Sequence, residues 1–277
     1  MTTKRSRQKR LELLAIVSDL HSGSTVALMP PTFKLAQGQT VEANALQKWF
    51  WECWQDAHRW IGGQTNGEAF GLIANGDLIE GDHHRTDEII SRRIGDHLEC
   101  AVELLGPLAR CAKKTWIVRG TDCHVGDIEV AVGHRLNAEK NPETGRPIFD
   151  RLTMDICGVR LVAKHHIFTT SRPWLEPNAL GAELASEQLN AVRNREEMPR
   201  IVCAAHRHVA GHVETTDGLC LVTSAWQGLT THGHKVVSAS RCKPSVYLLD
   251  WRGLPDGAMP RVLRRIYDAP KAQVIQA

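Results

Sequence analysis

Short apolar runs, each stopped abruptly by small and charged residues, recur along this chain. The first, Leu13 to Val17, is an unbroken Leu-Leu-Ala-Ile-Val that ends at Ser18-Asp19-Leu20-His21. A run of this length without polar alternation predicts a strand buried on both faces. Phe70 to Ala74 and Thr115 to Val118 repeat the pattern. They end in Asn75-Gly76-Asp77 and in Arg119-Gly120-Thr121-Asp122-Cys123-His124. Between them the period becomes helical. Thr40 is the expected cap of a helix over Val41 to Ile61, where Ala45, Trp49, Phe50, Cys53, Trp54, Ala57 and Ile61 share one apolar stripe. Gly62-Gly63 is its expected stop. A second helix is expected over Thr86 to Leu105, extending towards Lys113. The connection Ser22 to Gln39, with Pro30-Pro31, reads as a long loop of the kind that forms lids and site walls.

The second half reads differently. After a short helix over Ile128 to Ala138, Leu152 to Ile156 and Val159 to Ala163 predict a hairpin about Cys157-Gly158. Its second strand runs into Lys164-His165-His166. A helix near Ala179 to Arg195 leads to a buried strand, Arg200 to Ala205, that ends in His206-Arg207-His208. His212 to Thr216 and Leu219 to Ser224 predict a hairpin about Asp217-Gly218. Further strands fit Ser245 to Asp250 and Pro260 to Ile266. With no sharp linker and no internal repeat, residues 11–277 read as one α/β domain, parallel strands first and a more antiparallel sheet second. Residues 1–10 read as a disordered basic arm.

Composition narrows the picture modestly. The formal charge of +3 neither demands nor excludes a nucleic-acid partner. The 8 Cys are scattered without a C-x-x-C, which argues against a zinc knuckle and a secreted disulfide framework. Buried thiols in a reducing cytoplasm are the expectation, and no apolar stretch is long enough to span a bilayer. The 14 His matter because they cluster, as His83-His84, His165-His166, His206-Arg207-His208 and His232-Gly233-His234.

A single Asp or His at a strand end is ordinarily a turn residue. Here Asp19/His21, Asp77, Asp122/His124, His165-His166 and His206/His208 follow in order at corresponding strand ends, the edge where open α/β sheets bind ligands. Carboxylate and imidazole without thiolate suit a borderline-hard divalent ion such as Mn²⁺, Fe, Zn²⁺ or Ni²⁺. More ligands than one ion needs point to two ions sharing a bridging carboxylate.

The ordered set Asp19-Leu20-His21, Gly76-Asp77 with Glu80 beyond, Gly120 to His124, His165 and His206-Arg207-His208 resembles the calcineurin-like binuclear metallophosphoesterases. The resemblance implies two packed mixed β-sheets flanked by helices. It also implies hydrolysis of a phosphate ester by a hydroxide activated between two divalent ions, Mn²⁺ by expectation. Asp19, His21 and His208 would hold the first ion, Asp77 would bridge, and His165 and His206 would hold the second. His165 stands on the side of Leu161 and Ala163 by strand alternation, with His166 the alternative. His124 matches a histidine that sits near the leaving group, where a protonated ring donates to the departing alkoxide. The family's asparagine before that histidine is missing here, and two residues are inserted. Asp122 is chemically the better replacement ligand, Thr121 stands at the asparagine position, and His124 is the third alternative. In that last case His83, His84 or water supplies the proton. Asp82, His83 and His84 are candidates for lining the substrate cleft.

The basic arm and Ser91-Arg92-Arg93 favour a polyanionic substrate, DNA or RNA, with a small cyclic nucleotide or nucleotide monoester as runner-up. A metal-stabilised scaffold without chemistry, and a nucleic-acid binder using only the arm, are the alternatives of other classes. Oligomeric state is not legible in the sequence.

Overall fold

The apolar runs do form strands, and their two faces bury into two different cores. A computed structural model describes residues 10–83, 86–167, 175–231 and 243–269. The order is β1 (Leu13–Val17), β2 (Thr32–Lys34), β3 (Thr40–Glu42), α1 (Ala45–Thr65), β4 (Gly71–Asn75), α2 (Ile94–Cys111) and β5 (Lys114–Val118). There follow α3 (Asp122–Val125), α4 (Ile128–Arg135), β6 (Leu152–Ile156), β7 (Val159–Ala163) and α5 (Glu176–Asn194). The chain continues with β8 (Ile201–Ala204), β9 (Gly211–Thr215), β10 (Gly218–Val222), β11 (Ser245–Asp250) and β12 (Arg261–Ile266).

Two five-stranded mixed sheets result, ordered β12-β11-β1-β4-β5 and β6-β7-β8-β10-β9. In the first, β1, β4 and β5 are parallel, β11 runs antiparallel to β1, and β12 runs antiparallel to β11. In the second, β7, β8 and β10 are parallel, with β6 and β9 antiparallel at the edges. Side-chain alternation divides each strand between layers. Leu14 and Ile16 of β1 pack with Leu161, Ile201, Cys203 and Leu221 of the second sheet. Leu13, Ala15 and Val17 pack instead with Phe50, Trp54 and Leu104 of α1 and α2. Val202, Ala204, Cys220 and Val222 face Leu180 and Leu184 of α5. The layers are therefore helices, sheet, sheet and helix, which is the expected fold class. Each fully buried Leu or Ile contributes roughly 1.5–3 kcal/mol.

Three expected elements shift for identifiable reasons. Thr40 opens a strand, β3, paired with β2, and does not cap a helix. The cap is Asn44, whose side chain accepts from Gln47 N at 3.0 Å while Gln47 Oε1 accepts from Asn44 N at 3.1 Å. This reciprocal box fixes the start of α1, which runs through Gly62-Gly63 to a left-handed Asn66. The helix expected from Thr86 begins at Ile94, because the preceding backbone is already engaged. Thr25 N donates to Glu88 O, and Ile90 N donates to Gly23 O. The Ser22 to Gln39 connection is not a free lid: Ala27, Leu28, Met29, Phe33 and Leu35 are buried in the core.

Residues 1–9 of the expected arm lie outside the described residues, and Arg10 is paired with Asp256. The described cysteines of known state are free thiols. No described helix is long and apolar enough to cross a membrane.

Candidate metal centre

The chain bends sharply where the strands stop, and the bends are made by the candidate ligands themselves. Asp19, His21, Asp77, His206 and His208 have φ of 49°, 46°, 49°, 69° and 57°, in the left-handed region that L side chains avoid. Such backbone costs on the order of 1–3 kcal/mol per residue and persists where surroundings enforce it, commonly at functional sites. Asp19 and His21 lie beyond β1, which ends at Val17. Two left-handed residues, one on each side of Leu20, re-aim them while Leu20 stays buried between. Asp19 N donates to Gly76 O and His21 N to Asp77 O, so the loops after β1 and β4 lie side by side.

Two groups of three donors come together across the seam between the sheets. Asp19, His21 and His208 form one; Asp77, His165 and His206 form the other. In the first, His21 Nε2 and His208 Nε2 are 3.1 Å apart. Nitrogens bound to one tetrahedral zinc would be separated by about 3.3 Å. In the second, His165 Nε2 is 3.0 Å from Asp77 Oδ2, and its Nδ1 donates to Asn75 O at 2.7 Å. A ring whose Nδ1 carries a hydrogen bond to a carbonyl presents Nε2 to a ligand. Asp19 joins the groups. Its Oδ1 is 3.7 Å from His208 Nε2 and 3.8 Å from His165 Nε2. This oxygen is buried without a hydrogen-bond partner among the described residues, whereas Oδ2 is bonded by Ser18 Oγ. A buried, unpaired carboxylate oxygen facing two imidazole nitrogens fits a cation.

The electrostatics agree with that fit. Burial alone would lower the pKa of His165 and His21. Asp19 and Asp77 hold His165 up at about 10, and Glu80, Asp77 and Asp19 hold His21 up at about 9. Burial raises Asp19 to about 6, while Asp77 is held well below the usual carboxylate range by His165 and His21 against its burial. Protons on two rings thus balance the buried carboxylates, and divalent cations would do the same. Burial lowers the pKa of His206 and of His208, so both rings are neutral and have lone pairs to offer.

No protein-family model and no curated protein matches the sequence. Solved structures are similar to the fold over most of its length. Vps29 of Chaetomium thermophilum is 14% identical over 94% of this chain and 99% of its own, with a TM-score of 0.46. A novel archaeal phosphodiesterase is 12% identical over 92% and 99%, with a TM-score of 0.45. Zn²⁺-complexed Vps29 of Entamoeba histolytica is 11% identical over 92% and 99%, with a TM-score of 0.40. Identity this low assigns no role to any residue.

Around the two groups, the expected residues fall as follows. His124 lies on α3, its Nδ1 donating to Glu80 O at 2.9 Å and its ring 5.0 Å from that of His21. His83 is 4.2 Å from His124, ring to ring, and its Nε2 is 2.9 Å from Glu80 Oε1. His84 lies outside the described residues. Asp122 is exposed at the start of α3 and joins neither group. Thr121 stands there instead. Its N donates to Asp77 Oδ1 at 2.6 Å, and its Oγ1 donates to Asp77 Oδ2 at 3.1 Å and lies 3.2 Å from His206 Nδ1. His165 is buried and His166 exposed, the latter edge-on to His206 at 4.5 Å.

Four residues to which the sequence pattern gave no ligand or cleft role hold this arrangement. Glu129 of α4, wholly buried, accepts from Leu78 N and Gly120 N, each at 2.8 Å, and so ties the loops after β4 and β5 together. Burial raises its pKa to about 7. Glu80 and Gln227 pair at 2.7 Å behind His21. Gly120 is a close approach: a Cβ there would stand 2.2 Å from Asp77 N and 2.3 Å from Asp77 Oδ1. Its glycine in the sequence was the available signal; Glu129 and Gln227 carried none.

Proposed function

We propose that this chain is a metal-dependent phosphoesterase of the calcineurin-like type, acting on a phosphodiester, with DNA or RNA as the substrate class. The observation that carries the reading is Asp19 Oδ1, buried and unpaired between His208 Nε2 and His165 Nε2, where the two donor groups meet. Asp19, His21 and His208 would hold one ion, and Asp77, His165 and His206 the other, with Mn²⁺ first among candidates and Fe, Zn²⁺ and Ni²⁺ compatible with the donors. Bound there, two divalent ions supply Lewis-acid charge to phosphate oxygens and lower the pKa of a water to near neutrality.

The chain's own residues do the rest. Thr121 N and Oγ1 fix Asp77, so that its oxygens stay aimed between His165 and His206. His124 is held by the Glu80 carbonyl through Nδ1, which leaves Nε2 to give a proton to the departing oxygen. His83, packed on His124, forms the adjoining wall for substrate.

The polyanion preference draws on the basic residues 4–10 and on Ser91-Arg92-Arg93. Arg92 is exposed and already paired with Asp82 and Asp87. Exposed pairs are weak and exchange readily for phosphates. The test is turnover on a panel of phosphomonoesters, phosphodiesters and cyclic nucleotides across metals, beside single- and double-stranded DNA and RNA. Nucleic-acid cleavage whose KM rises steeply with salt supports the reading. Monoester or cyclic-nucleotide turnover alone moves the substrate to the runner-up class. The replacement of an asparagine ligand by Thr121 favours one further reading, a metal-stabilised scaffold, which binding without turnover would establish.

A further inference from the structure

Glu80 is a buried carboxylate. It is 2% exposed, follows the buried Leu78 and Ile79, and sits on the loop after β4. Its oxygens are fully engaged. Oε2 is 2.8 Å from His21 Nδ1 and accepts from Gln227 Nε2 at 2.7 Å; Oε1 is 2.9 Å from His83 Nε2. Its carbonyl takes His124 Nδ1 at 2.9 Å. Glu80, His21 and His124 are close enough to form a donor group of their own. Glu80 stands on the Nδ1 side of the His21 ring, however, whereas it is Nε2 of that ring that faces His208, so the carboxylate lies behind the first donor group.

The geometry points to a different role, resting on the metal-centre reading above: we infer that Glu80 is a positioning residue that fixes the His21 ring with its proton on Nδ1, so that Nε2 faces His208 and Asp19 as a ligand. A neutral imidazole carries one N–H, and the nitrogen without it is the one that binds a metal. A carboxylate at Nδ1 selects the Nδ1–H form, orients the ring and increases its basicity; removing such a partner typically costs about 10–100-fold in metal affinity. Gln227, 3% exposed, holds the carboxylate from behind, so the ring has little freedom to turn. The same carboxylate fixes His83, and through the carbonyl the same residue fixes His124. One side chain therefore sets both a ligand of the first group and the wall beside the reacting phosphate.

Two variants separate this from a merely structural role. Glu80→Gln keeps the size and an oxygen acceptor; Glu80→Met keeps the size and loses both acceptors. The His21 tautomer is read by long-range ¹H–¹⁵N correlation in the metal-free chain, at a pH where the ring is neutral. Zn²⁺ affinity is read by titration calorimetry. The wild type is expected to show the Nδ1–H form. Glu80→Met should lose that form and bind the ion of the Asp19, His21 and His208 group about 10–100-fold less tightly, while Glu80→Gln restores the tautomer and part of the affinity. His83→Ala should change neither. A wild-type ring protonated on Nε2 overturns the inference without any variant, which keeps it testable if the Met variant does not fold. A Met variant with unchanged tautomer and affinity overturns it as well. A wild type with the Nδ1–H form that binds no Zn²⁺ supports the role of Glu80 and removes the functional reading instead.

Discussion

Asp19 Oδ1 and His165 Nε2 stand 3.8 Å apart, although one residue follows the first strand of one sheet and the other follows β7 of the second. The candidate site is therefore a property of the sheet–sheet packing. The core between the sheets, with Leu14, Ile16, Leu161 and Ile201 in contact, sets this distance. Loosening it by truncating Ile16 should damage the site as well as the fold, at a stability cost of about 2–5 kcal/mol.

The protonation pattern predicts how the fold responds to pH with metals removed. His21 and His165 are held up at about 9 and about 10, above the ordinary imidazole value. Their contribution to stability is complete below about pH 6.5 and disappears as pH rises through those values. Asp19, raised to about 6, acts in the same direction. Asp77 and Glu80 are lowered, so their contribution is lost as pH falls below about 4. The chelated protein should melt highest in mildly acidic buffer and lose Tm from pH 7 to 10. Divalent metal should remove that loss, because it takes over the charge of the two protons, and its affinity should climb over the same range. Melting curves with and without chelator measure both effects; a chelated Tm that rises with pH contradicts the assignment.

Thr121 and Asp122 are adjacent and should behave oppositely. Thr121→Val removes the hydroxyl between Asp77 Oδ2 and His206 Nδ1, so that Asp77 Oδ2 keeps His165 Nε2 while His206 Nδ1 loses this partner. It should cost about 1–3 kcal/mol and weaken the second ion. Asp122→Ala, at an exposed position outside both groups, should leave stability and stoichiometry as they are. Calorimetric metal titration of the two variants decides between them.

His124 should matter in proportion to the leaving group. As a proton donor it is needed for alkoxides and hardly at all for p-nitrophenolate. His124→Asn should slow hydrolysis of sugar-phosphate diesters by roughly 10²–10⁴-fold and that of p-nitrophenyl esters far less. Burial, and then His21, lower the pKa of this ring. The His124-dependent part of the rate should therefore decline as pH rises, starting below the ordinary imidazole value. Equal losses on both esters would assign His124 to metal binding.

The sheets were legible because a strand buried on both faces has to be apolar throughout, as Leu13–Val17 and Ile201–Ala204 are. The ligand-bearing ends were legible because Asp and His interrupt those runs at once. The backbone that aims them was not: nothing local in Asp19-Leu20-His21 announces two left-handed residues. Nor were the supports. Glu129 is on α4, nine residues beyond the Gly120 it binds, and Gln227 reaches Glu80 from 147 positions away. Such contacts exist only once distant loops have packed. The start of α2 was misplaced for the same reason, since Glu88 and Ile90 bond to the loop after β1.

The most direct test of the central claim is hydrolysis of bis-p-nitrophenyl phosphate by the full chain with Mn²⁺, compared with the Asp77→Ala variant and with chelator. The account predicts metal-dependent turnover by the wild type, none in chelator, and loss in Asp77→Ala despite a folded spectrum. No turnover with any divalent metal, in a protein that those metals nevertheless raise in Tm, would contradict it.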